Sequence, residues 1–86
     1  MKVLAHASFT KAYKKKPIKI RQAFDDRLKI FVKDSHNQLL NNHPLQGKWH
    51  GHRSINVSGD FRAIFKQTGD SAIFVDIDTH HSLYGS

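Results

Sequence analysis

Residues 48–77, KWHGHRSINVSGDFRAIFKQTGDSAIFVDI, contain three runs rich in β-branched and aromatic residues, separated by two short turn sequences. The runs predict strands over residues 48–57, 61–67 and 72–77. The turns, Ser58-Gly59-Asp60 and Thr68-Gly69-Asp70, are made of residues that favour tight hairpins. Three strands joined in this way form an antiparallel meander, and one face of such a sheet has to be covered by other elements.

The residues before the meander supply this cover. Residues 1–7 predict a short first strand, and residues 8–16 predict a short helix with Ser8 and Thr10 as candidate capping residues. Pro17 ends this helix and begins a second one, predicted to run to about residue 36 because its apolar residues recur at spacings of three and four. The predicted buried stripe is Ile20, Ala23, Phe24, Leu28, Phe31 and Val32.

The predicted fold class is therefore α+β, in a single domain over residues 1–86. It comprises an N-terminal strand, a two-helix hairpin, the three-stranded antiparallel meander and a short C-terminal tail, with one sheet face left open. Alternation along the last strand predicts two sets of side chains. Those expected to face the helices are Ile73, Val75 and Ile77, and those expected on the open face are Phe74, Asp76 and Asp78. The same reasoning places four residues of the first meander strand on the open face: His50, His52, Ser54 and Asn56.

Charge is distributed unevenly along the chain. The formal net charge is +7, from 14 basic and 7 acidic residues, and the pI is about 10.0. Residues 1–33 hold ten of the basic residues and two of the acidic ones. A basic half of this kind predicts a polyanionic partner, either a nucleic acid or an acidic protein segment. The alternative is an ordinary solvated, lysine-rich helix surface.

Other features indicate the compartment. The chain has no cysteine, which fits a reducing environment and leaves no disulfide or thiolate zinc site. The first residues hold too short an apolar run for a secretory signal, and no stretch approaches the roughly 20 apolar residues of a membrane helix. We therefore expect a cytoplasmic protein that does not contact membranes.

The seven histidines are the side chains best suited to acid–base catalysis, because imidazole can take up and release protons near neutral pH. His43 lies in the loop before the meander, and His80 and His81 follow its last strand directly. Loops and strand ends are common places for functional sites.

The chain at this point resembles a known family. Residues 43–49 (HPLQGKW), 51–53 (GHR), 59–66 (GDFRAIFK) and 79–85 (THHSLYG) are similar to motifs of the YafQ branch of the RelE/ParE toxin superfamily. The resemblance covers residues 37–86 at the level of motifs, and the N-terminal half in layout only. It implies the toxin of a type II toxin–antitoxin module, which cleaves mRNA on the ribosome and so inhibits translation. In that reaction the 2′-hydroxyl attacks the adjacent phosphate and leaves a 2′,3′-cyclic phosphate, and the family uses no metal or other cofactor.

The resemblance also implies the site residues. His43 and His80 correspond to the histidines that act as base and acid, Asp60 to a carboxylate, and Tyr84 to an aromatic that contacts RNA. The residues implied in RNA or phosphate binding are Lys48, His52, Arg53, Asn56, Phe61 and Arg62. Each also has an ordinary structural alternative, such as a turn residue for Asp60 or a packing residue for Phe61.

Three positions depart from the family pattern. Asn56 stands where a further histidine is usual, Asp76 where an arginine is usual, and His52 where a tyrosine is usual. Asparagine can hydrogen-bond a phosphate but cannot exchange protons. Asp76 reverses a charge on the expected active face, so phosphate stabilisation must come from other residues.

Three other functions remain open. A ParE-like toxin would inhibit DNA gyrase by binding, without cutting RNA. The histidines near residues 50–52, or those at 80–81 with Asp76 and Asp78, could bind zinc or nickel. The third is a plain RNA- or ribosome-binding module. For a toxin, the expected partners are an antitoxin in a hetero-oligomer and the 70S ribosome with its mRNA, contacted through the basic N-terminal half.

Overall fold

The structure, a computed structural model, describes residues 1–85; Ser86, the last residue of the expected domain, lies outside the described residues. The predicted order of a strand, two helices and a meander is confirmed. The strands are β1 (Lys2–Ala5), β2 (His43–Pro44), β3 (Arg53–Ser58), β4 (Phe61–Thr68) and β5 (Ser71–Thr79). The helices are α1 (Ala7–Lys14), α2 (Ile18–Lys33) and α3 (His80–Tyr84), and 3₁₀ turns cover Gln38–Leu40 and Gly47–Trp49. The predicted C-terminal tail is thus largely the short helix α3.

All the strands belong to one sheet in the order β1-β5-β4-β3-β2. The strands β3, β4 and β5 form the predicted antiparallel meander. The pairing of the strands at the two edges of the sheet was not predicted from the sequence. At one edge β1 pairs parallel to β5, which requires the crossover that α1 and α2 provide. At the other edge the two residues of β2 pair antiparallel to β3.

Several predicted boundaries are too long. The first meander strand begins at Arg53 and not at residue 48, because residues 47–49 form the 3₁₀ turn and Gly51 adopts a left-handed φ of 89°. His50 therefore lies in a turn and not on a strand face. The predicted Ser8 cap is also wrong: His6 caps α1, and its Nδ1 accepts the Ser8 N–H at 3.1 Å. The Ser8 hydroxyl instead donates to the Val75 carbonyl at 2.7 Å.

A β-bulge in β5 overturns the predicted alternation there. Ile64 pairs with Asp76 and Phe65 with Phe74, so Val75 is an extra residue without a partner on β4. Such a bulge shifts the side-chain pattern by one residue. Phe74 consequently joins the core under the helices, together with Ile77, while Val75 packs on the opposite face. The prediction remains correct for Ile77, Asp76 and Asp78, which follow the bulge.

The main core lies between the helices and the sheet and consists largely of phenylalanine rings. Phe74 is 1% exposed and contacts four other rings at centroid distances of 5.2 to 5.7 Å. These rings belong to Phe9, Phe24, Phe31 and Phe65. The Tyr13 hydroxyl also ties α1 to α2 by donating to Asp25 Oδ1 at 2.8 Å. Burial, and secondarily this carboxylate, raise the pKa of Tyr13.

A second, smaller core lies on the other side of the sheet, which we call the front face. Leu45, Ile64 and Leu83 are buried there, with Trp49, Val75 and Tyr84 packed around them. The front face is therefore partly covered by α3 and by the loop that contains Leu45 and Trp49, although the sequence predicted it to be open. None of the helices within residues 1–85 combines the length and apolar character that a membrane crossing requires.

Candidate active site

Two rows of side chains cross the front face of the sheet. Register partners on neighbouring strands share a face. The first row runs from β2 to β5 through His43, Ser54, Ile64 and Asp76. The second runs from β3 to β5 through Asn56, Arg62 and Asp78. Three of the side chains that the sequence predicted for the site, those of His43, Asn56 and Arg62, therefore share this surface.

The start of α3 brings three of the predicted residues together. Thr79 caps the helix, its Oγ1 accepting the Ser82 N–H at 3.2 Å. The His80 N–H donates to the Asp60 carbonyl at 2.9 Å, which places His80 beside the turn between β3 and β4. The imidazole of His80 lies against the ring of Tyr84, with centroids 4.5 Å apart and the planes at 73°. Asp60 and His80 are both exposed, so a ligand can reach them.

The end of α3 is held by Trp49. Its indole Nε1–H donates to the Leu83 carbonyl at 2.9 Å, and Leu83 is 2% exposed. A helix of five residues is too short to be stable alone. The position of His80 and Tyr84 therefore depends on this bond and on the small front-face core.

We expect Trp49→Phe to lower the free energy of unfolding by about 1 kcal/mol, because the Leu83 carbonyl loses its donor while a smaller aromatic ring keeps much of the packing. Amide hydrogens of α3 should also exchange faster with solvent, which NMR hydrogen exchange measures. Tyr13→Phe is the matched control, since it removes one hydrogen bond between α1 and α2 and should leave exchange in α3 unchanged. Equal exchange in α3 of the Trp49→Phe and wild-type proteins would contradict the role of Trp49.

The tautomer of His43 follows from its partner. Its Nδ1 lies 2.7 Å from the Asn41 carbonyl oxygen, which can only accept a hydrogen bond. Nδ1 therefore carries the hydrogen, and in the neutral ring Nε2 is the atom that can accept a proton. Three strand spacings of roughly 4.8 Å each separate β2 from β5. His43 and His80 consequently flank the front face from opposite sides and do not touch.

Four buried polar atoms have no hydrogen-bond partner among the described residues, and all belong to the front face. They are His52 Nδ1, Ser54 Oγ, Asn56 Oδ1 and the Tyr84 hydroxyl. Unpaired buried polar groups are costly, because each forfeits the hydrogen bonds that water would supply. Sequence reasoning placed Ser54 on this face but gave it no role, because the complete burial of its hydroxyl comes from the second core and is invisible in the sequence.

Three of the predicted RNA-binding residues lie away from the His80 group. Phe61 packs against the main core on the helix side of the sheet. Arg53 also falls on that side, and its Nε donates to Asn42 Oδ1 at 2.8 Å. Lys48 is exposed in the 3₁₀ turn, with its Nζ 5.8 Å from the centre of the Trp49 ring. Arg62 does lie in the second row, where its Nη1 donates to the Gly59 and Phe61 carbonyls at 2.8 and 3.0 Å.

The structure also bears on the alternative of a metal site. Within residues 1–85, no three histidine, aspartate or glutamate side chains come close enough together to hold a metal ion. His50 lies in a turn and His52 just before β3, and the carboxylates of Asp76 and Asp78 each accept a hydrogen bond from the next residue's backbone N–H at 2.8 Å.

Comparisons with known proteins agree on one family. A family model described as a bacterial toxin of type II toxin–antitoxin systems, YafQ, matches residues 1–85. The mRNA interferase toxin YafQ of Escherichia coli is 41% identical over 47 residues, which are 55% of this chain and 51% of that protein. The match thus spans about half the length of that relative.

Solved structures of similar proteins show the same fold. A crystal structure of Escherichia coli YafQ superposes with a TM-score of 0.77 at 22% identity, covering 96% of this chain and 97% of that one. A crystal structure of the Escherichia coli DinJ–YafQ complex contains a chain that superposes with a TM-score of 0.75 at 23% identity, again with 96% and 97% coverage.

Proposed function

This chain belongs to the YafQ family of bacterial toxins of type II toxin–antitoxin systems, and we propose that it is a single-domain endoribonuclease that cleaves mRNA on the ribosome. The observation that carries this proposal is the grouping of Asp60, His80 and Tyr84 at one end of the front face, with His43 across from them. A protein that only binds DNA gyrase has no need of acid and base groups placed in this way. The proposed toxin acts in the cytoplasm, where ribosomes are found.

The proposed reaction uses the two histidines in different roles. His43 Nε2 accepts the proton of the 2′-hydroxyl, whose oxygen attacks the adjacent phosphorus. The bond from phosphorus to the 5′-oxygen breaks, and the His80 imidazolium donates a proton to that oxygen. The products are a 2′,3′-cyclic phosphate and a free 5′-hydroxyl, and no step calls for a metal. The Asp60 carbonyl accepts the His80 N–H and so helps to orient His80, while Tyr84 contacts an RNA base or the phosphate.

Asn56 and Arg62 are the proposed contacts for the charged phosphate, since they are neighbours in the second row. The carboxylates on this face are partly offset by other groups. Asp78 Oδ2 lies 3.5 Å from Lys16 Nζ, and Asp76 Oδ1 accepts the Ile77 N–H at 2.8 Å. The phosphate is therefore expected closer to Asn56 than to Asp76, which would limit the repulsion expected from the charge reversal at position 76.

The direct test is to add the purified protein to 70S ribosomes programmed with a defined mRNA and to map new 5′ ends by primer extension. We expect cuts in the decoding site, fragments with cyclic-phosphate ends by mass spectrometry, and no cutting of the same mRNA without ribosomes. A chelator selective for transition metals should leave the rate unchanged. Intact mRNA together with inhibition of DNA gyrase supercoiling would instead favour the ParE-like alternative.

We also propose that the exposed lysines of α1 contact ribosomal RNA, and that an acidic antitoxin segment competes for the same surface. Escherichia coli YafQ has been crystallised with DinJ, which supports a hetero-oligomer of this kind here. Lys11, Lys14 and Lys15 are exposed, whereas Lys16 is partly buried and pairs with Asp78. The relevant surface is therefore the first three lysines.

Replacing Lys11, Lys14 and Lys15 by glutamate is expected to weaken ribosome association by at least about tenfold, because the contact with RNA phosphates becomes repulsive. Co-sedimentation with ribosomes at fixed salt measures this. The corresponding glutamine variant should give an intermediate result, since it removes the charge without reversing it. Unchanged co-sedimentation of the glutamate variant would remove this surface from the proposal.

A further inference from the structure

A cavity of about 660 Å³ opens at the end of the sheet opposite His80. It lies where β3 begins and β4 ends, whereas His80 follows the end of β5, beside the turn between β3 and β4. The polar side chains that line it are His36, Gln46, His50, His52, Arg53 and Gln67. The proposed reaction leaves His36, Gln46, His50 and Gln67 without a role.

The lining suits an anion. Arg53 supplies a permanent positive charge and the histidine and glutamine side chains supply N–H donors, and among residues 1–85 no aspartate lines the cavity. Arginine is well adapted to phosphate because its guanidinium donates several hydrogen bonds in a planar fork.

Arg53 is also held in place. Its Nε donates to Asn42 Oδ1 at 2.8 Å, and Asn42 Nδ2 donates to the Ser35 carbonyl at 2.8 Å. This chain of bonds ties the guanidinium to the segment that follows α2. A charged group whose orientation is fixed in advance loses less conformational entropy when it binds a ligand.

The cavity lies at the start of the strand that carries Asn56, one of the proposed phosphate contacts. His52 lines the cavity. Ser54 and Asn56 follow at alternate positions toward Asp60 and so share the front face with His52. From His52 to Asn56 the strand rises by about 14 Å, at roughly 3.4 Å per residue. A few nucleotides of single-stranded RNA span such a distance.

We propose that this cavity binds a backbone phosphate of the mRNA a few nucleotides from the cleaved bond, and so fixes the strand at the end of the sheet where β3 begins. The proposal rests on the proposed function, because the ligand is the same RNA strand. An acidic antitoxin segment could offer carboxylates to Arg53, but the spacing of about 14 Å along the strand between His52 and Asn56 favours RNA, because a few nucleotides span it and each carries a phosphate.

The first experiment measures binding of a non-cleavable RNA, with 2′-deoxyribose at the cleavage position, to the free protein at fixed salt. Arg53→Gln is expected to weaken binding about tenfold, since it removes the permanent charge of the cavity, and His50→Ala about threefold, since it removes an N–H donor to a charged phosphate. Lys29→Gln is the control for Arg53→Gln, because it removes the same charge from an exposed position on α2. It should bind within a factor of two of the wild type. His50 lies in an exposed turn, so its variant tests the cavity even if Arg53→Gln disturbs the fold.

The second experiment titrates inorganic phosphate and follows the imidazole ring signals by NMR. Signals of His36, His50 and His52 should move together and saturate, while that of His6, on the far side of the sheet in the cap of α1, should not. Shortening the RNA so that it reaches only the catalytic residues should abolish the effects of Arg53→Gln and His50→Ala.

The outcomes separate the two proposals. If the protein cleaves mRNA but both cavity variants bind RNA as Lys29→Gln does, the cavity proposal is overturned and the proposed function stands. If the cavity histidines respond to phosphate but no mRNA is cut under any condition, the anion site stands and the nuclease function fails. Binding of an acidic peptide in the cavity, with no response to phosphate or RNA, would overturn the assignment to RNA.

Discussion

Replacing His80 by glutamine is expected to slow mRNA cleavage on the ribosome by about 10²–10⁴-fold, the usual contribution of a general acid. His80 is the proposed donor of the proton to the leaving 5′-oxygen, and glutamine cannot supply one at neutral pH. The side chain is exposed and lies against the ring of Tyr84, so the free energy of unfolding should change by less than about 0.5 kcal/mol. Single-turnover cleavage measures the rate, and co-sedimentation checks that ribosome binding is kept.

His81→Gln is the matched control for this variant. His81 is the next residue of the same short helix, it is exposed, and no hydrogen bond of its side chain occurs within residues 1–85. It should cleave at the wild-type rate. A His80→Gln protein that cleaves as fast as His81→Gln would show that the acid is another group. Loss of ribosome binding along with cleavage would show that His80 acts in binding.

Replacing Phe74 by alanine is expected to lower the free energy of unfolding by about 3–5 kcal/mol, as for other fully buried phenylalanines. Phe74 is 1% exposed and stands at the centre of the ring cluster beneath the helices. The free energy of unfolding of small domains is only about 5–15 kcal/mol, so this loss is a large part of it. Urea denaturation followed by circular dichroism measures the change.

Ile73→Ala is the control, and it also tests the bulge in β5. Ile73 is only partly buried and lies outside the main core, so its truncation should cost less than about 1.5 kcal/mol. Simple alternation along the strand would place Ile73 in the core and Phe74 on the open face, and would reverse the order of the two effects. A larger loss for Ile73→Ala than for Phe74→Ala would therefore contradict the observed register.

The candidate site was predictable to different degrees from residue to residue. The roles of His43, Asp60, His80 and Tyr84 follow from motifs that resemble a toxin family, and the structure places the Asp60 carbonyl and the Tyr84 ring against His80. The resemblance could not reveal the tautomer of His43, since that depends on the Asn41 carbonyl 2.7 Å from its Nδ1.

Other residues that were predicted to bind RNA lie on different faces of the sheet. Phe61 and Arg53 lie on the helix side of the sheet, while Asn56 and Arg62 lie on the front face. A motif records which residues are close in sequence, but the face on which each side chain lies depends on where the strand begins and how it pairs. The first meander strand was predicted to begin five residues too early, which misplaced His50.

The amino-acid sequence alone determined the features that depend on residues close along the chain. The amphipathic period of α2, the turns at Gly59 and Gly69 and the order of strands and helices all follow from local preferences and burial patterns. Only the tertiary structure decided the features that depend on distant partners. The bulge at Val75 arises from pairing with β4, and the position of α3 depends on Trp49, 34 residues earlier than the Leu83 carbonyl it binds. Ser54 became a buried, unpaired hydroxyl for the same reason, because the second core that excludes water from it is assembled from segments that meet only in the folded protein.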